Sequence, residues 1–85
     1  MSKDFDVVAA FQRAALEVCN RRLDGLTRDT AIAELGLDSV STLEMVAYLE
    51  ERLGIRIPDE ALGEVRTLRD LEAVILRRLG TLPAA

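Results

Sequence analysis

Apolar residues recur every three or four positions in three separate stretches of this 85-residue sequence, and that spacing restricts the chain to packed helices. At 100° per residue, the first stretch, about 5–21, has an apolar stripe of Phe5, Val8, Phe11, Ala15 and Cys19. In the second stretch, 39–53, the stripe consists of Thr42, Met45, Val46, Leu49 and Leu53. In the third stretch, 68–79, the stripe consists of Leu68, Leu71, Val74, Ile75 and Leu79. Because only three residues are aromatic, aliphatic side chains must form the core, and we predict an all-α fold.

Capping residues mark the ends of these helices. Asp38 is a favoured N-cap residue ahead of 39–53, and Gly54 is favoured just after a helix end. Thr67 with Asp70 three residues later is a weak form of the capping box. Pro-Asp before and at the start of 59–63 predicts a short helix there. We therefore predict a bundle of three main helices plus one short helix, as a single domain over 1–85.

The connection over 22–38 is unusually long for so small a domain. Its periodicity is weak, because glycine and polar residues alternate with apolar anchors, namely Leu23, Leu26, Ile32 and Leu35. We expect these anchors to pin a long loop, with one helical turn near Ile32. Connections of more than about 12–15 residues in compact domains tend to be functional, and this one leads directly to Asp38.

Charge and composition exclude several classes of function. The net charge of −4 disfavours binding to nucleic acid. No apolar run approaches the roughly 20 residues of a membrane span, and the first ten residues do not resemble a signal peptide, so we expect a cytoplasmic protein without membrane contact. With no histidine and only Cys19, the chain lacks the ligands of a zinc cluster and cannot form an internal disulfide. We expect no metal site, a buried Cys19 thiol, and no enzyme activity.

The helix 39–53 has a second apolar strip, outside its core stripe. Val40, Leu43 and Ala47 alternate there with carboxylates, namely Glu44, Glu50 and Glu51. Two interpretations stay open from the pattern alone: a wide core stripe with a solvated edge, or a docking surface for a partner. The segment 38–64 has a net charge of −5 and the rest of the chain +1, and such a segment attracts basic protein surfaces.

The segment 36–40 reads Gly-Leu-Asp-Ser-Val and resembles the attachment site of the acyl carrier protein family. Members of that family have a Gly-x-Asp-Ser-Leu-like segment at the start of their second helix. The preceding helix and long loop, and the later run Gly-Ile-Arg-Ile-Pro-Asp-Glu at 54–60, also resemble the family. The resemblance covers essentially the whole chain.

The resemblance implies that Ser39 receives a 4′-phosphopantetheine arm from coenzyme A through a separate, magnesium-dependent phosphopantetheinyl transferase. Asp38 would cap the helix and also help the transferase to hold its metal. Acyl or polyketide intermediates would then be tethered to the arm as thioesters. The partners would be acyltransferases and ketosynthases, or adenylation-type loading enzymes, whose basic surfaces bind Val40, Leu43, Glu44, Ala47, Glu50 and Glu51. We expect a monomer that leaves each partner after every step.

Three departures from the commonest fatty-acid pattern favour a polyketide or related specialised pathway over fatty acid synthesis. Val40 stands where leucine is usual, Ser41 where an acidic residue often follows, and Arg52 where the acidic run often continues. A peptidyl or aminoacyl carrier is the nearest alternative, although Leu37 stands where such carriers more often have glycine. An unmodified helical interaction module is the alternative from another class.

Overall fold

The computed structural model describes residues 5–80, which fold into a small helical bundle. Its elements are α1 at Val7–Cys19, a 3-10 turn at Ile32–Leu35, α2 at Ser39–Leu53, α3 at Asp59–Leu62 and α4 at Leu68–Leu79. Within these residues, extended pairing is limited to one isolated bridge between Ala31 and Thr67. The predicted all-α fold of three main helices and one short helix is confirmed, and a helical turn is present at Ile32.

The first helix is two residues shorter at each end than the apolar pattern predicted. Asp6 is its N-cap, because the Asp6 carboxylate accepts a hydrogen bond from the Ala9 amide at 3.2 Å. Asn20 ends the helix in the left-handed conformation, with φ of 56°, and its amide donates to the Leu16 carbonyl at 3.2 Å. Two polar residues able to cap a helix therefore stop α1 inside its predicted range of 5–21.

The buried face of α1 is also rotated relative to the predicted stripe. Its buried residues are Val7, Phe11, Ala14 and Ala15. Phe5, Val8 and Cys19 are only partly buried at the edge of the core, so the expectation of a buried Cys19 thiol was wrong. Because most positions of α1 are apolar, periodicity could not decide which of several overlapping stripes would face inward.

The core lies where α1 packs against α2 and α4. From α2 it takes Met45, Val46 and Leu49, and from α4 it takes Leu68, Leu71 and Ile75. Thr42 was predicted to face this core but is half-buried, and its hydroxyl donates to the Asp38 carbonyl at 2.9 Å. A threonine at that position satisfies its hydroxyl within the helix itself.

The long connection before α2 is fastened to the beginning of α4. The Ile32 amide donates to the Arg66 carbonyl at 2.9 Å, and the Leu68 amide donates to the Thr30 carbonyl at 3.2 Å. Two ion pairs reinforce this contact, Arg69 with Asp29 at 2.9 Å and Arg28 with Glu72. The connection is therefore held by backbone pairing and charge as well as by its predicted apolar anchors.

The short third helix is bounded by a proline and a glycine at its two ends. Pro58 occupies its N-cap position and Gly63 its C-cap position, so α3 ends one residue before the predicted Gly63. The buried Ile57 precedes it and fixes this part of the chain to the core. None of the helices in residues 5–80 is long and apolar enough to cross a membrane.

The capping box at the start of α4 should contribute measurably to stability. The Thr67 hydroxyl accepts from the Asp70 amide at 3.2 Å, and the Asp70 carboxylate accepts from the Thr67 amide at 3.2 Å. We predict that Thr67→Ala lowers the free energy of unfolding by about 1 kcal/mol, measured by urea denaturation. Thr67→Ser keeps the hydroxyl and should lower the free energy of unfolding much less. Equal losses in the two variants would show that the hydroxyl bond is not the cause.

Candidate functional site

The site begins at Asp38, the residue that caps α2. Its Oδ1 accepts a hydrogen bond from the Ser41 amide at 2.7 Å, and its backbone carbonyl accepts from the Thr42 amide at 3.0 Å. The bond from the Ser41 backbone, together with the Ser41 side chain, holds the pKa of the Asp38 carboxyl below its ordinary value of 3.8. Asp38 is exposed, so this shift comes from hydrogen bonding to the charged form.

Ser39 is the first residue of α2 and is exposed to solvent. Its hydroxyl has no hydrogen-bond partner among residues 5–80. The amides of Ser39 and Val40 lie in the first helical turn, where no carbonyl of the same helix is available to them. A free hydroxyl and unpaired N–H groups therefore lie together at the positive end of α2.

The second apolar strip of α2 faces solvent. Val40 is 63% exposed and Leu43 is 55% exposed, and Ala47 is exposed one turn further along. Only one other large apolar side chain in residues 5–80 is exposed, Leu16 at 49% on α1. The interpretation of the strip as a wide core stripe is therefore wrong, and an apolar surface begins beside Ser39.

The three carboxylates predicted to border this strip differ in their exposure and in their hydrogen bonding. Glu44 and Glu51 are exposed, as a docking border requires. Glu50 is partly buried, and its Oε2 accepts a hydrogen bond from the Ile57 amide at 2.6 Å. Glu50 thereby joins α2 to the segment that leads into α3, a structural role that the pattern of charges along α2 does not indicate.

An apolar cavity of about 370 Å³ opens next to Ser39. It lies between α2, α3 and the 3-10 turn, and it is lined by Phe11, Ile32, Leu37, Ser39, Thr42, Leu43, Val46, Leu62, Val65 and Leu71. Ser39 and Thr42 provide the polar side chains of this lining. A group attached to the Ser39 hydroxyl thus has an apolar space within reach.

A family model described as the phosphopantetheine attachment site matches residues 9–75. The chain belongs to the acyl carrier protein family. Proteins of this family are carriers rather than enzymes, and 4′-phosphopantetheine is their cofactor. The family resemblance noted in the sequence is confirmed.

Individual relatives agree with this assignment. The actinorhodin polyketide synthase acyl carrier protein of Streptomyces coelicolor is 36% identical over 66 residues, which cover 78% of this chain and 77% of that protein. The acyl carrier protein of Treponema denticola is 48% identical over 48 residues, or 55% of this chain. The crystal structure of an acyl carrier protein from Thermotoga maritima superposes with a TM-score of 0.79 at 27% identity, over 87% of each chain.

Coverage differs greatly among the curated relatives. The matched region spans 62% of the Treponema denticola protein and 3% of a non-reducing polyketide synthase from Phaeosphaeria nodorum. Carrier sequences like this one therefore occur both as small proteins and as a small part of a much longer chain.

Several features of this chain were not visible in its sequence. The cavity beside Ser39 is built from five separate segments, so no local pattern indicates it. The Glu50 contact joins residues seven positions apart across a helix end, and Arg21 reaches the Leu35 carbonyl across 14 positions. The bend at Gly54 was the one signal that Glu50 and Ile57 would meet. Within residues 5–80 no group of three His, Cys, Asp or Glu side chains is arranged to hold a metal ion.

The lowered pKa of Asp38 predicts an acid-sensitive contribution to stability. Because the folded-state pKa lies below the ordinary value of 3.8, the contribution is fully present above that pH and is lost as the pH falls through the folded-state pKa. We predict that Asp38→Asn, which keeps a capping oxygen, flattens the dependence of the urea midpoint on pH below about 4. Asp59→Asn is the matched control, and an equal flattening there would contradict the assignment to Asp38.

Proposed function

We propose that this chain transports acyl intermediates on a 4′-phosphopantetheine arm attached to Ser39, for a polyketide-type or related synthase. The observation that supports the attachment site most directly is the exposed, unpaired Ser39 hydroxyl at the first position of a capped helix. It lies inside the region 9–75 that matches the phosphopantetheine attachment family.

The start of α2 fits a phosphate group. A phosphodiester on Ser39 would lie beside the unpaired amides of Ser39 and Val40, which can donate to its oxygens. The positive end of the helix dipole favours its negative charge. Asp38 is the preceding residue, and its Oδ1 is directed to the Ser41 amide within the cap. The local backbone thus stabilises the modified form without any further basic side chain.

The modification is a simple transfer. The Ser39 oxygen attacks the phosphorus of coenzyme A that bears the pantetheine arm, and a new oxygen–phosphorus bond forms. The bond from that phosphorus to adenosine 3′,5′-bisphosphate breaks, and the hydroxyl proton passes to a base of the transferase. Once bound, the arm supplies a terminal thiol that takes up an acyl group as a thioester. The half-buried Cys19 has no part in this step.

The lining of the cavity beside Ser39 favours an acyl cargo over an aminoacyl cargo. An aminoacyl group has a positively charged amine, and burying it without a partner would be costly. The side chains that line the cavity include no carboxylate to pair with such an amine. The relative from Streptomyces coelicolor, described as a polyketide synthase carrier, supports the same class of cargo.

The exposed strip of α2 is the docking surface that we propose for partner enzymes. Val40, Leu43 and Ala47 supply apolar contact, while Glu44 and Glu51 supply free carboxylates at its border. Complementary charge speeds the encounter with basic enzyme surfaces without requiring a long-lived complex. Glu50 adds its charge to this face but is held by the Ile57 amide, so its contribution to docking is secondary.

Intact-mass analysis tests the attachment site. Incubation with coenzyme A and a promiscuous phosphopantetheinyl transferase should add the mass of one arm to the chain. Ser39→Ala should gain nothing, because the nucleophilic oxygen is absent. Ser41→Ala should still gain one arm, because the Ser39 hydroxyl remains. Modification of Ser39→Ala would move the site to another residue, and an unmodified native chain would leave only the helical interaction module.

Charge reversal tests the docking surface. We predict that Glu44→Lys slows malonyl loading of the modified chain by a malonyl transferase about threefold to tenfold at low salt, because one favourable rim charge becomes repulsive. The difference should shrink at about 0.5 M salt, where exposed charges are screened. Glu51→Lys should behave in the same way.

The matched control for these variants is Glu17→Lys, which reverses an exposed carboxylate on α1, away from the strip. It should leave the loading rate nearly unchanged. Reversal of Glu50 is avoided, because it would also break the bond to the Ile57 amide. Equal slowing by Glu17→Lys and Glu44→Lys would indicate an effect of net charge and reject the strip as the interface.

A further inference from the structure

One side chain joins the end of α1 to the turn that precedes Ser39. The Arg21 Nη2 atom donates a hydrogen bond to the Leu35 carbonyl at 3.1 Å, across 14 positions of sequence. Leu35 is the last residue of the 3-10 turn. Carbonyls at the end of a helix find no N–H donor within that helix. Arg21 also passes close to Gly36, since its Nη2 would lie 3.9 Å from a Cβ atom at that glycine.

The backbone of Arg21 is itself fixed. Its amide donates to the Ala15 carbonyl at 3.1 Å, directly after Asn20, the residue that caps the end of α1. The guanidinium group therefore reaches Leu35 from a defined point on the bundle. Among residues 5–80, no carboxylate pairs with Arg21, so the carbonyl of Leu35 is its protein contact.

The segment from Ile32 to Ser39 is held at its two ends by different means. At its start, the Ile32 amide donates to the Arg66 carbonyl at 2.9 Å. At its far end, the cap of Asp38 fixes it to α2. Between these two points, Leu35 and Leu37 pack against the core, and Arg21 is the side chain that hydrogen-bonds to the segment, at Leu35, three residues before Asp38. Gly36 then turns the chain with φ of +73°.

We propose that Arg21 is a positioning residue for the modification of Ser39. This inference rests on the proposed attachment of phosphopantetheine at Ser39. By holding the Leu35 carbonyl, Arg21 fixes the turn through Gly36 and Leu37, and so fixes the direction in which the Ser39 hydroxyl meets the transferase. Transfer requires the hydroxyl oxygen to approach phosphorus along a defined line. Small displacements of the Ser39 hydroxyl therefore lower the rate of transfer strongly.

A positioning role differs from a docking role in the kinetic constant that it changes. A residue that only binds the transferase would raise KM and leave kcat unaltered. A residue that aligns the hydroxyl would lower kcat with little change in KM, because the complex still forms. Arg21 is exposed and its bond lies at the surface, so its loss should change the thermal midpoint little.

The experiment compares three variants as substrates of one promiscuous phosphopantetheinyl transferase, with coenzyme A and intact-mass detection. Arg21→Gln should lower kcat about tenfold and change KM less than twofold. Arg21→Lys, which keeps a charged donor, should recover part of the rate. Arg22→Gln is the matched control, because Arg22 is the adjacent exposed arginine and makes only a 3.8 Å contact with Asp24. Its kinetic constants should equal those of the native chain.

Backbone amide NMR signals supply a second, independent measurement. In Arg21→Gln the signals of Gly36 and Leu37 should shift, while in Arg22→Gln they should not. An unchanged kcat for Arg21→Gln, a change in KM alone, or equal effects of the two glutamine variants would each overturn the proposal. If Arg21→Gln fails to fold, the Arg21→Lys constants decide by the same criteria. A native chain that is not modified at all would instead refute the attachment at Ser39.

Discussion

The hydrogen bond from the Ser41 amide to the Asp38 carboxylate determines where α2 begins, and the rest of the site follows from that position. If the helix began one residue later, Ser39 would occupy the N-cap position and its hydroxyl would accept from the helix amides. At 2.7 Å, this contact places Ser39 at the first position of α2. The buried Met45, Val46 and Leu49 set the rotation of the helix, and with it the exposure of Val40 and Leu43.

The long connection before α2 shows how a small domain can keep an irregular segment in place. Ordering so many residues outside regular helices is costly in conformational entropy. The cost is offset along the whole length, by the buried Leu23, by backbone pairing of Ile32 and Thr30 with the start of α4, and by the Arg21 contact. The capping box of α4 adds to this, because Thr67 is both its cap and the partner of Ala31 in the isolated bridge.

The features that depend on neighbouring residues could be predicted from the sequence. The bounds of α2 follow from Asp38 and Gly54, the capping box from Thr67 and Asp70, and the fold class from the spacing of apolar residues. The buried face of α1 could not be predicted, because its apolar residues are too numerous to define one stripe. The candidate site shows the same division: the capped serine is a local pattern, whereas the cavity and the direction of the Glu50 carboxylate depend on tertiary packing.

Within residues 5–80, the contact between Glu50 and the Ile57 amide links α2 and the segment before α3 at one end only. At the Glu50 end, a hydrogen bond from the Ile57 amide to the carboxylate joins them just before Pro58. At the Ser39 end, the space between them is the apolar cavity, with Leu43 and Leu62 on its walls. A change in the width of that cavity would therefore break no hydrogen bond between α2 and α3, so its size is set by how the apolar side chains pack.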